Sequence, residues 1–161
     1  LPTVRDARPG DAAAIARIHV TAWRETYRGL FPDAVLDGMD EAARRDLWAR
    51  AIAQGTTRIA VAEGGFAQSG PQRIDAHRNA YPQELWCIYL QRIAQGRGLG
   101  RALFEHVCPE VPFTVAVFAA NPGACAFYER MGGRCLSEAP EEVFGITLPE
   151  RLYAFDHHSG E

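Results

Sequence analysis

No stretch of this chain approaches the ~20 consecutive apolar residues that a membrane-spanning helix needs, and no signal-like segment precedes its first elements. Neither sign of charge is in excess. The 161 residues carry a net charge of −3, which leaves no footprint for nucleic acid or for an anionic membrane surface. Cysteine is scarce, and Cys87, Cys108, Cys125 and Cys135 show no Cys-x-x-Cys spacing. With no signal-like segment in this sequence, reduced thiols and a cytoplasmic location are the expectation. His106 and Cys108 stand close, but no second ligand pair follows, so no metal site is expected. Repeats, low-complexity tracts and linkers are also missing. The length fits one domain, residues 1–161, around a single core. Hydrophobic residues at 47% and charged residues at 23% are ordinary for a soluble globular protein.

What is present centres on Gln95-Gly96-Arg97-Gly98-Leu99-Gly100-Arg101. An apolar run, Leu85 to Leu90, precedes it and reads as a buried strand. Ala102 to Val107 follows and reads as an amphipathic helix, with Leu99, Leu103 and Val107 as its apolar stripe. Three glycines let the backbone approach a ligand and aim successive N–H groups at one spot, where a helix N-terminus also favours anions. Between Trp86 and Phe104 there is no Asp or Glu, whereas Arg92, Arg97 and Arg101 are all present. The turn is built for phosphate. It is not a Walker loop, which needs Gly-Lys-Ser/Thr where this chain has Gly100-Arg101. Nor is it a dinucleotide fingerprint, because Leu103 stands where the third glycine would fall.

In chain order, Thr3 to Ala7 reads as a strand, followed by Asp11 as the N-cap of a helix whose face is Ile15, Ile18, His19, Ala22 and Trp23. His19 on that face reads as a structural histidine. Gly29 and Pro32 break the helix. A second helix spans about Asp40 to Gln54, with stripe Arg44, Leu47, Trp48, Ala51 and Ile52, and Gly55 closes it. Arg58 to Ala62 and Phe66 to Ser69 form a hairpin about Glu63-Gly64-Gly65. Residues 70–83 are irregular, with Ile74 and Asp75 as a weak continuation of the strand. Phe113 to Phe118 is a strand parallel to Leu85–Leu90, since a helix separates them. Asn121 caps a helix that has Pro122 at its first position, and Gly132-Gly133 ends it. Arg134–Ser137 and Arg151–Phe155 are closing strands, with Pro140 and Pro149 between them.

Gln95-x-x-Gly98-x-Gly100 resembles the pyrophosphate loop of the GNAT superfamily of N-acetyltransferases. Asn121-Pro122-Gly123-Ala124-Cys125-Ala126-Phe127-Tyr128 and the following Gly132-Gly133 are similar to that family's Asn-x-x-Ala-x-x-Phe-Tyr-x-x-x-Gly-Phe. The segment Ala22 to Asp33 resembles the first-helix region of bacterial members, and the order of elements agrees along nearly the whole chain. Two departures stand out: Gly133 replaces an aromatic, and the hairpin at Glu63 is short. The resemblance implies an α+β GNAT fold, a mixed, mostly antiparallel twisted sheet of about seven strands with helices on both faces. Its fourth and fifth strands form a splayed parallel pair.

The resemblance also implies acetyl-CoA as the co-substrate. Its pantetheine arm would lie on the backbone of Ile88, Tyr89 and Leu90. Its pyrophosphate would lie on the N–H groups of Gln95, Gly96, Arg97, Gly98, Leu99, Gly100 and Arg101. Asn121, Phe127 and Arg130 would line the other side. An alkyl amine has a reference pKa near ~10.4 and needs deprotonation before it attacks, so a base or a water leading to one is required. Glu84, at the head of the fourth strand, stands where family members place that base. Tyr128 matches the family's general-acid tyrosine. With reference pKa values of ~10 for the phenol and ~8.5 for the thiol, full proton donation is uphill by about 2 kcal/mol, so its hydroxyl first stabilises the developing thiolate by a hydrogen bond. Cys87 faces away from Ile88 and belongs to the core, which disfavours an acetyl-cysteine route.

The acceptor is expected to be a primary amine, of a small molecule or a peptide, walled by Trp23 and Tyr27 with Phe31. Asp33, Asp37, Asp40 and Glu41 are candidate attractors for its charge. Neither a nucleic acid nor a membrane is expected as partner; a homodimer is common in the family. Two rival readings are a non-catalytic acetyl-CoA sensor or protein-interaction module, and a nucleotide-phosphate enzyme.

Overall fold

The structure is a computed structural model that describes residues 3–156. Seven strands form a mixed sheet in the order β1-β2-β3-β4-β5-β7-β6. They are β1 Arg5–Asp6, β2 Arg58–Ala62, β3 Gly65–Pro71, β4 Gln83–Leu90, β5 Phe113–Phe118, β6 Arg134–Val143 and β7 Ile146–Phe155. The helices are α1 Ala12–Tyr27, α2 Asp33–Asp37, α3 Glu41–Gln54, α4 Leu99–Val107 and α5 Pro122–Arg130. The parallel pair β4/β5 has the expected form: the ladder holds only Gln83–Phe113 and Glu84–Thr114, although β4 continues to Leu90 and β5 to Phe118. The β1–β2, β2–β3, β5–β7 and β6–β7 ladders are antiparallel. The residues gather into two compact units, one made by the chain up to Ser69 with Cys87–Cys108, the other by Gly70–Trp86 with the chain from Pro109 onward.

In the first unit, the apolar face of α1 (Ile15, Ala16, Ile18) is buried with Trp48 of α3 and with Ile59, Val61 and Phe66 of the strands. Cys87 and Tyr89 of β4 pack on the same cluster, so Cys87 points into the core. The stripe of α3 is narrower than its periodicity suggests. Leu47 is 47% exposed, and Trp48 alone of that helix is fully buried. Asp40 caps α3 by accepting the N–H groups of Ala42 and Ala43, and Gly55 ends it at φ 66°. On the other face of β3, Leu99 and Leu103 of α4 lie so close to Gly65 that a Cβ there would meet them at 3.0 and 3.1 Å. That approach requires glycine and sets where α4 begins.

Asp11 is the N-cap residue of α1, as its position suggests, but its side chain accepts no N–H of that helix. The residue ends a short 3₁₀ turn, Pro9–Asp11, where its carboxylate takes the Arg8 N–H and a two-pronged pair from Arg5 at 2.8 and 2.9 Å. The Arg5 hydrogen bonds hold the Asp11 carboxyl down at about 2. Stability from this pair is present above the ordinary carboxylate range and is lost as pH falls through about 2. Asp11→Asn should therefore cost about 1 kcal/mol at neutral pH, with the difference closing toward pH ~2, as urea unfolding at a series of pH values would show.

In the second unit, Phe113, Val115 and Val117 of β5 are buried, and Phe155 of β7 stacks on Phe113 at 4.6 Å. Ile74 and Asp75 do not extend a strand; Ile74 is exposed and Asp75 opens a 3₁₀ turn, Asp75–His77. The closing strands are far longer than their apolar cores, ten residues each, and they run through the prolines. Pro140 and Pro149 face each other in the ladder. Opposed residues whose nitrogens both point outward exchange no N–H···O bond, so two prolines there cost the pairing nothing. The Pro149 carbonyl still accepts the Ala119 N–H at 2.9 Å.

Candidate active site

In the first unit, β4 leaves Leu90 through a 3₁₀ turn, Arg92–Ala94, into Gln95 and the glycine turn. Gly96 and Gly98 both have positive φ, 77° and 79°, which an L side chain rarely adopts. Gly98 in this left-handed conformation is the N-cap of α4, and no side chain caps the helix. Among the described residues, none of the backbone N–H groups from Gly96 to Arg101 has a hydrogen-bond acceptor. Successive unsatisfied N–H groups at a helix N-terminus make a concave anion site. The three arginines expected around it are not equivalent. Arg92 gives its guanidinium to the Glu25 carbonyl at 3.0 Å, and Arg101 pairs with Glu105 one turn along α4. Arg97 alone of the three has no such partner among the described residues. The turn is tied to the hairpin by the Gln91 N–H, which donates to the Gly64 carbonyl at 2.8 Å.

Ile88, Tyr89 and Leu90 complete β4, with the Tyr89 ring stacked on His19 at 5.1 Å. Trp48 Nε1 donates to His19 Nδ1 at 3.2 Å, and burial together with Arg44 brings the imidazole down to about 3. His19 is thus a neutral structural group. Trp23, half-buried, lies 4.6 Å from the Tyr27 ring, and Tyr27 and Phe31 are buried beside it. Three of the four carboxylates considered as attractors have other work. Asp33 and Asp37 both pair with Arg28, and Asp40 caps α3.

In the second unit, Asn121 caps α5 by accepting the Ala124 N–H, with Pro122 at the first helical position. Phe127 is half-buried, Arg130 is exposed, and Tyr128 is 5% exposed with its ring 5.2 Å from Phe127 and 6.3 Å from Tyr153. The glycine that replaces an aromatic at 133 has a steric reason: a Cβ there would meet the Phe155 ring at 2.8 Å and the Tyr128 carbonyl at 2.9 Å. That carbonyl accepts the Gly133 N–H, which fixes the end of α5 just past Tyr128.

Glu84 is 3% exposed. Its carboxylate accepts three hydrogen bonds from one residue: the Arg73 backbone N–H at 3.1 Å, Nε at 3.0 Å and a terminal guanidinium nitrogen at 2.8 Å. Arg73 also lies 4.2 Å over the Trp86 ring, whose Nε1 donates to the Pro71 carbonyl. Beside it, the buried Gln72 donates to Thr114 Oγ1 and to the Tyr81 and Gln83 carbonyls. Sequence reasoning missed Arg73 and Gln72, because they stand in the irregular stretch 70–83 and no local pattern marks them. Among the described residues no group of three or more His, Cys, Asp or Glu is placed to hold a metal ion. No helix among them is long and apolar enough to cross a membrane.

A row of N–H groups without acceptors thus stands between a strand and a helix, on a mixed sheet that contains the parallel pair β4/β5. Residues 12–133 match the model of the acetyltransferase (GNAT) family, and the chain belongs to that family; it is an acyltransferase. YuaI of Bacillus subtilis strain 168, an uncharacterized N-acetyltransferase, is 31% identical over 92% of this chain and 89% of its own length. Among solved structures, yncA of Salmonella typhimurium, determined with its cofactor acetyl-CoA, superposes with a TM-score of 0.73 at 23% identity, covering 100% of this chain and 98% of that one. The phosphinothricin acetyltransferase of Sinorhizobium meliloti in complex with AcCoA gives 0.71 at 20% identity, covering 99% and 90%.

Proposed function

We propose that this chain is an N-acetyltransferase that moves the acetyl group of acetyl-CoA to a primary amine, of a small molecule or a peptide, by direct attack in a ternary complex. The observation that carries the reading is the row of N–H groups from Gly96 to Arg101, which have no acceptor of their own and fit a pyrophosphate. The backbone of Ile88, Tyr89 and Leu90 takes the pantetheine arm, and β4 N–H groups stabilise the oxyanion of the tetrahedral adduct. Asn121, Phe127 and Arg130 flank the donor. The Tyr128 hydroxyl stabilises the leaving thiolate. Glu84 presents a fixed carboxylate to the acceptor ammonium, while Trp23, backed by Tyr27, walls the acceptor.

Calorimetric titration with acetyl-CoA, run beside thiol release against a panel of amines and peptides, tests this. Micromolar binding with thiol release on one acceptor is the expected result. Binding without release on any acceptor would favour the sensor reading. Absence of binding would remove the role given to the glycine turn.

A further inference from the structure

We infer that Glu150, not Glu84, takes the proton from the acceptor ammonium, and that Glu84 is the fixed anion that orients it. The inference rests on the acetyltransfer proposed above. In the ladders of the second unit, Glu84 is opposite Thr114, and Phe118, four residues further along β5, is opposite Glu150 of β7. Even spacing puts Thr114 and Phe118, and so Glu84 and Glu150, on one face of the sheet. Glu141 of β6, paired with Leu148, is on that face too. The other face carries Arg151 and Tyr153, which are occupied with Glu138 and Glu129.

The two carboxyl groups differ in their partners. Three N–H groups of Arg73 fill three of the roughly four lone-pair positions on Glu84, so that carboxylate is already engaged and held in place. Glu150 is half-buried, and no hydrogen bond or ion pair among the described residues holds its carboxyl. Its ladder neighbours, Phe118 and Ala139, offer no donor. The arginines of the unit that form ion pairs do so elsewhere: Arg73 with Glu84, Arg78 with Asp75, Arg134 with Asp156 and Arg151 with Glu138. The groups that act on Glu150 are acidic. Burial raises its pKa above the ordinary value, and the charges of Glu141 and then Glu84 add to that. Of the two carboxyls on this face, Glu84 is tied to Arg73 and Glu150 has its acceptor positions open.

The proton balance is complete. One proton passes from R–NH₃⁺ to the Glu150 carboxylate, and the freed nitrogen lone pair forms the C–N bond to the thioester carbon. Collapse breaks the C–S bond. The nitrogen sheds its second proton, the thiolate is protonated through Tyr128, and Glu150 returns its proton to solvent. One amide, one thiol and one net proton result.

The test uses the whole chain, the acceptor that gives thiol release, and Glu150→Gln. The expected result is a loss of about 100-fold in kcat/KM, unchanged affinity for acetyl-CoA, and disappearance of the acidic limb of the pH profile. A purely structural residue would not remove that limb. Glu150 also has a stability signature. A carboxyl with a raised folded-state pKa favours the fold at acidic pH and loses that contribution as pH rises through its folded value, so Glu150→Gln should melt no lower than the parent at neutral pH. In the parent, the side-chain carboxyl carbon of Glu150 should titrate by NMR above the usual ~4.3 for glutamate. Parent-like turnover with an intact acidic limb in the variant would overturn the inference and leave the acetyltransferase reading standing. Acetyl-CoA binding with no thiol release from the parent would instead overturn that reading, and this inference with it.

Discussion

Replacing Tyr128 with Phe is expected to lower kcat by about 100-fold while the affinity for acetyl-CoA stays within a factor of two or so. Asn121 and Pro122 fix where α5 starts, and the Gly133 N–H fixes the turn that follows Tyr128. The ring is already packed by Phe127 and Tyr153, so phenylalanine keeps those contacts and removes only the hydroxyl. A hydroxyl aimed at charge that develops in the transition state contributes to the rate and little to ground-state binding. Steady-state thiol release together with calorimetry separates the two quantities. Unchanged kcat would mean that solvent protonates the thiolate and that Tyr128 is structural.

Acidification is expected to destabilise the fold steeply below pH ~6, with about 3 kcal/mol lost by pH ~4 through His19 alone. The imidazole sits at about 3 when folded, against 6.5 in the free side chain. A depressed value means that the contribution is intact above pH ~6.5 and falls away as pH drops toward the folded value. The causes are burial first and Arg44 second, and the Trp48 hydrogen bond to Nδ1 needs the unprotonated nitrogen. His19→Gln retains an acceptor for Trp48. It should be less stable than the parent at neutral pH yet show a flatter acid limb in urea unfolding. A parent limb no steeper than that of the variant would show that His19 accepts a proton without cost. The Asp11 effect lies lower, as pH falls toward about 2, so the two windows are separable.

Most of the local devices were legible before the structure. The glycine-rich turn into α4, Asn121-Pro122 as a helix start and Gly55 as a helix end are each settled by residues within about four positions of one another. Such interactions form on a short segment, so a short segment encodes them. Where reading failed, the deciding partner was distant. Asp11 stands at the N-cap of α1 as read, but its carboxylate goes to Arg5 on β1 instead of to the helix. Leu47 fits the helical period of α3 and still faces solvent, because the strands beneath α3 receive only Trp48 fully. Pro140 and Pro149 look like breaks until the register sets one against the other.

The candidate site divides in the same way. The sequence by itself determined the glycine turn before α4, the tyrosine on α5 and the glutamate at the head of β4, since each is a residue type at a fixed offset from a local signal. Only the tertiary structure decided what those groups face. Arg73 reaches Glu84 across eleven positions of irregular chain, and Glu150 joins the face of Glu84 through two strand registers. Hydrogen-bond partners across strands are chosen by register, and register follows from the whole packed sheet, not from any one segment.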